Sequence, residues 1–125
     1  MNVRIVTKWH GAAFQAKVHK QQGTNLKAAG EHLRDAIVQD ITKLQGSNSP
    51  PLHSRPGDPP YKITGDLAAS FFAFTDTVAL IAQVGTPLEY GRYLEMGTLM
   101  MAPRPHIRAN LYGNVLLPFV LCKPI

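Results

Sequence analysis

The chain has 125 residues and a formal net charge of +5, with 45% hydrophobic and 17% charged residues. That length gives one domain, residues 1–125, with room for a modest core. The composition is that of a soluble globular protein, and Cys122, the single cysteine, excludes an internal disulfide framework or a cysteine-built metal site.

The apolar runs 67–74 and 115–122 are too short to cross a bilayer, and the N-terminus lacks a secretory core. A lone thiol fits synthesis in a reducing cytoplasm. The charge is uneven: residues 1–45 carry seven Lys or Arg against three Asp or Glu, and the rest adds +1. Such a bias marks either a polyanion partner or, more commonly, a basic solvated surface.

In chain order, residues 2–7 alternate in a way that suits a short strand, with Val3 and Ile5 apolar. Residues 9–22 have helical rows at Trp9, Ala13 and Ala16, and at Phe14 and Val18. Gly23 interrupts, and Thr24 is placed to cap a new start. Leu26, Ala29, Leu33, Ile37, Ile41 and Leu44 then recur at threes and fours, the clearest amphipathic pattern in the chain. The two segments read either as two helices or as one passing through Gly23, where a glycine costs only about 1 kcal/mol.

Residues 46–63 hold Pro50, Pro51, Pro56, Pro59 and Pro60 and are expected to be an extended loop without regular structure. Thr64 is placed to cap a short helix over 66–72, with Asp66 near its positive end. Residues 72–75 and 78–84 read as a strand pair, and 85–87 as a turn. A short helix over 90–96 is stopped by Gly97 at a positive φ. Pro103 and Pro105 force an extended corner around Arg104, and residues 107–117 have helical spacing at Ile107, Leu111 and Val115. The expected fold class is α+β: a long N-terminal helix and short helices packed on a small antiparallel sheet, with a long proline-rich loop.

The chemistry-bearing residues do not converge. Of the five histidines, none pairs at metal-ligand spacing; His32 follows Glu31, but Ala28 and Ala36 stand where a second ligand belongs. Residues 23–27 lack the spacing of a phosphate loop. Glu89 and Glu95 fall on different faces of a helix and so do not form an acid–base pair; Glu95 is expected to meet Arg92, Arg104 or Arg108. Ser70 lacks the glycines of a nucleophile elbow. No enzyme activity and no cofactor are expected. Lys20, Lys27 and Arg34 recur every seven residues and form a helix stripe able to follow phosphates. Glu31 lies beside it and no aromatic interleaves, so a solvated flank competes with a small basic DNA-binding domain as its meaning.

Two motifs carry a family resemblance. Residues 90–98 read Tyr-x-x-Tyr-Leu-Glu-Met-Gly-Thr, followed over 101–111 by Met-x-Pro-Arg-Pro-x-Ile-Arg-x-x-Leu. Upstream, residues 54–61 read Ser-Arg-Pro-Gly-Asp-Pro-Pro-Tyr, followed by Thr64-Gly65-Asp66-Leu67 and Ser70-Phe71. Together they resemble the neck and tail-completion proteins of long-tailed bacteriophages, over residues 25–115. The chain departs from that pattern at His106, where the family usually carries a larger apolar residue. The resemblance implies a structural virion protein that joins head to tail or caps the tail tube. It would be a homo-oligomeric ring, hexameric or, nearer the portal, twelve-fold. Its partners would be neighbouring neck, connector and tail-tube proteins, with non-specific contact to packaged DNA and no membrane. It would assemble in the host bacterial cytoplasm and reside in the virion. Arg55, Pro56, Pro59, Tyr61, Glu95, Gly97, Arg104 and Arg108 are then candidate interface residues, Lys20, Lys27 and Arg34 candidate DNA-channel residues, and 46–63 an assembly arm.

Overall fold

The computed structural model describes residues 2–112. Its largest element is α1 (Gly11–Thr42), 32 residues and about 48 Å at 1.5 Å per residue. Gly23 does not break it. A Cβ built there would lie 3.1 Å from Thr77 Cβ, so the missing side chain lets a hairpin turn rest against the helix. Thr24 is therefore not a cap; its hydroxyl donates to the Lys20 carbonyl one turn back, at 3.0 Å. Of the expected apolar row, Leu33, Ile37 and Ile41 are buried and Leu26 and Ala29 half-buried. Leu44 lies past the helix end and is exposed.

The strand expected over 2–7 is absent. Residues 2–10 have neither strand nor helix assignment, because a strand needs a partner edge and no described backbone group bonds to residues 2–9. Trp9 precedes α1 and is exposed.

Residues 46–63 hold more regular structure than their composition suggests. Strands β1 (Ser47–Asn48) and β2 (Pro51–Leu52) pair antiparallel. The Gly46 N–H donates to the Lys62 carbonyl and the Lys62 N–H to the Leu44 carbonyl at 3.0 Å, which clips the two ends of the segment together. Ser54 and Pro60 are buried. The expectation of no regular structure is corrected accordingly. Backbone bonds across its base restrain the segment, while residues 48–53 and 55–58 are exposed on either side of buried Ser54.

Helix α2 (Asp66–Ser70) starts from Gly65 at φ 93°, with the Thr64 hydroxyl on the Asp66 carboxylate at 2.8 Å. It is shorter than expected because Phe71 turns extended, and its side chain is buried in the core. Strands β3 (Phe72–Asp76) and β4 (Ile81–Gly85) pair antiparallel, with Phe72 opposite Gly85 and Asp76 opposite Ile81. The second strand begins at Ile81, not at Val78. Asp76 Oδ1 accepts the N–H groups of Val78 and Ala79 at 2.9 and 3.1 Å, which folds the intervening residues into a turn. Ala82, Thr75 and Val84 lie against Gly30 of α1. Because side chains alternate across a strand, Phe72, Phe74 and Ile81 face away from the helix and are exposed.

Helices α3 (Glu89–Met96) and α4 (Ile107–Leu111) complete the described chain. The helix expected over 107–117 ends at Leu111, with Tyr112 as its C-cap; residues 113–117, including Val115, lie outside the described residues, as does Cys122. The core is Leu33, Ile37, Ile41, Leu67 and Phe71, with Val38, Ala68, Val84, Leu94 and Ile107 packed against it. The fold is α+β, as expected, though its strands form two separate two-stranded sheets.

Candidate functional site: the Glu95 corner and its cavity

The two stretches that carry the resemblance meet in space. The α3 helix ends at Gly97, whose N–H donates to the Tyr93 carbonyl at 2.8 Å. Gly97 has φ 76° and ψ 171°. The positive φ is the expected one, but the ψ places it in an extended region that is essentially glycine-only, not in the left-handed helical region. A Cβ there would lie 2.9 Å from Pro103 N and 3.0 Å from the Met101 carbonyl oxygen. The chain then makes a tight turn, the Thr98 N–H donating to the Met101 carbonyl at 2.8 Å, with Leu99 and Met100 exposed at its tip. The Arg104 N–H returns to the Leu94 carbonyl at 2.7 Å and sets the Pro-Arg-Pro corner against α3.

That path delivers the start of α4 to Glu95. The buried carboxylate accepts the N–H groups of His106 at 2.8 Å and of Ile107 and Arg108 at 2.9 Å. It thereby satisfies the donors that a helix start leaves unpaired, a cap supplied from another helix. The Arg108 guanidinium closes over it, with Nε 3.2 Å from Glu95 Oε1 and Nη2 donating to the Glu95 carbonyl at 2.8 Å. Burial pushes the Glu95 pKa up, but the three backbone donors outweigh it and the net shift is downward. The carboxylate is held ionised.

His106 is fully buried, edge-on to Phe71 with ring centroids 5.7 Å apart. It fills a core position. Its Nδ1 faces the Arg104 carbonyl at 3.2 Å and Glu95 Oε2 at 3.3 Å. Both are acceptors, so Nδ1 carries the proton. Burial pushes the His106 pKa down despite these two neighbours. Asn110 Nδ2 donates to Asp40 Oδ2 and to the His106 carbonyl, each at 2.8 Å, and ties α4 to α1.

Beside this corner lies a cavity of about 370 Å³. Ile41, Leu67 and Leu94 supply its apolar wall, and Ser54, Lys62 and Arg104 its polar one. Ser54 Oγ and Arg104 Nε are buried without a hydrogen-bond partner. This arrangement suits an apolar group that ends in an anion. Tyr90 borders the cavity, its pKa raised by burial and by Asp66.

Of the candidate interface residues, Arg55 and Pro56 are exposed, while Pro59 and Tyr61 are half-buried. Glu95 and Gly97 serve the chain's own fold. Arg108 makes the expected ion pair with Glu95; Arg104 does not, and turns toward the cavity. Glu89 sits apart from Glu95, on the exposed side of α3, bonded by the Tyr93 hydroxyl at 2.7 Å. Ser70 Oγ bonds the Leu67 carbonyl and Thr86 Oγ1. Lys20 and Lys27 are exposed and line one hollow with Thr77 and Val78. Arg34 departs from that stripe to bond Asp35 at 2.8 Å. Sequence reasoning missed Glu95 as a cap, and missed His106 and Asn110 as buried polar groups; the departure at His106 from the resembled motif was the one available signal. Among the described residues no group of three or more His, Cys, Asp or Glu is arranged to hold a metal ion, and no helix is long and apolar enough to cross a membrane.

No protein-family model matches the chain, and neither does any curated protein or solved structure.

Proposed function

We propose that the chain is a structural subunit of a long-tailed phage neck, assembled as a ring that joins the filled head to the tail or caps the tail tube. The observation that carries this reading is an imbalance between inside and outside. Among the described residues five hydrophobic side chains are buried, while eighteen large ones are exposed. Exposed apolar surface on that scale marks an interaction surface, and a subunit covers it with its neighbours. The motifs behind the resemblance support the same reading. The Gly57 N–H donates to the Pro103 carbonyl at 3.0 Å, so both motifs shape one face and one cavity. The ring is hexameric, or twelve-fold nearer the portal, and contacts connector and tail-tube proteins in the virion after assembly in the host cytoplasm. The role involves no catalysis and no cofactor.

A small DNA-binding domain is the second reading, favoured by the shared hollow of Lys20 and Lys27. Light scattering at several concentrations, followed by imaging of the particles, separates the two. Closed rings support the neck reading. A mass of 13.7 kDa at every concentration contradicts it. A single chain that binds duplex DNA with steep salt dependence supports the alternative.

A further inference from the structure

The β3–β4 ribbon is incomplete. Helix α1 covers one face of its two strands, and no described backbone group outside the ribbon bonds to them. Its outer face shows Phe72, Phe74 and Ile81, each between 44% and 58% exposed. Open edges beside apolar surface are normally paired or covered.

The same chain carries an unpartnered strand. Residues 2–7 have the apolar alternation of a strand, residues 2–9 have no described backbone partner, and Val3 and Ile5 are 79% and 85% exposed. They are badly placed for their own ribbon. Its turn rests on Gly23 at Thr77, and its strands run back to Gly30. Helix α1 continues from Gly23 to Gly11, about 18 Å beyond that turn. A chain leaving Gly11 would spend about two thirds of residues 2–9 returning before it could pair, at about 3.3 Å each.

We infer that residues 2–9 of one copy add as a third strand to the β3–β4 ribbon of a second copy. Strand addition supplies main-chain hydrogen bonds and sets alternate side chains on one face. Val3 and Ile5, two apart, then extend the apolar face of Phe72 and Phe74. Helix α1 bridges the two copies. The contact is head-to-tail, the type that closes into a ring when its rotation allows. The inference deepens the neck reading and rests on the chain assembling with itself.

The test uses the full chain. Ile5→Pro with Val6→Pro removes two adjacent N–H groups, one of which faces a partner strand in either register. Ile5 and Val6 are exposed and have no described backbone partner in their own chain, so the far-UV circular dichroism should stay unchanged. Wild-type protein should assemble and the proline variant should fall to single-chain mass. In a Cys122→Ser background, protein carrying Ile5→Cys mixed with protein carrying Phe74→Cys should form a disulfide-linked pair. A proline variant that assembles normally, with no mixed disulfide, overturns the strand addition and leaves the ring standing. A disulfide formed only within one chain of the double-cysteine variant, at single-chain mass, also overturns it, because the segment then serves its own ribbon. Wild-type protein that never assembles overturns both; a strand-linked dimer without rings sustains the strand addition alone.

Discussion

The two ends of α1 are built on opposite principles. Its C-terminal half buries Leu33, Ile37 and Ile41 against Leu67 and Phe71, and Asp40 holds α4 through Asn110. There one carboxylate accepts the backbone N–H groups of His106, Ile107 and Arg108 at the start of α4. Its N-terminal half buries no large side chain; Phe14 is 64% exposed, and the segment before it is exposed as well. One end is finished within the chain. The other end carries exposed apolar surface, and it is the end that the proposed strand addition would cover.

The sharpest way to break the finished end is Glu95→Ala. Three backbone donors and the Arg108 guanidinium would lose their acceptor, and losing one partner of a buried pair costs about 3–5 kcal/mol. Chemical denaturation should show a loss of that size; a loss under about 1 kcal/mol would mean that the corner does not hold the fold. Gly97→Val should cost about 2–3 kcal/mol, from its glycine-only backbone region and from the close approach of Pro103. An unchanged melting temperature would remove that account.

The third prediction uses pH. The folded-state pKa values of His106 and Glu95 both lie below their ordinary values. In each case the unfolded chain binds the proton more readily, so stability is present above the unfolded pKa and is lost as pH falls toward the folded one. The His106 loss begins near pH 6.5 and the Glu95 loss near pH 4.3, about their unperturbed values. Stability measured against pH should therefore fall in two stages. His106→Phe should abolish the upper stage and keep the lower; an upper stage that survives the substitution would clear His106 of that role.

The smallest effect belongs to the open end. Phe74→Ser should change the stability of the isolated chain by less than about 0.5 kcal/mol, as exposed substitutions do, yet weaken assembly. An assembly constant unchanged by the serine would place the interface elsewhere.

Much of this contrast is legible in the sequence. The row from Leu26 to Ile41 fixes the helix, and its strongest stretch is the buried one. Gly97 marks the end of α3, and the charges near the Pro-Arg-Pro corner give Glu95 an arginine partner, though the choice of Arg108 over Arg92 and Arg104 comes from the structure. What escapes is long-range. Nothing local tells that Glu95 caps a helix beginning 12 residues later at Ile107, because a cap is normally sought beside the helix it serves. The β1–β2 pair is hidden by prolines, which lower strand propensity but tolerate edge positions. Residues 2–7 have the pattern of a strand without the edge that would make them one; periodicity reports a preference, and a second strand realises it.

Amide hydrogen exchange at low and high protein concentration tests the contrast most directly. The account predicts that residues 2–9 and the β3–β4 ribbon gain protection together as concentration rises, while the amides of His106, Ile107 and Arg108 are protected at both. Equal exchange of the ribbon and the N-terminal segment at the two concentrations, with the protein shown to assemble at the higher one, would contradict it.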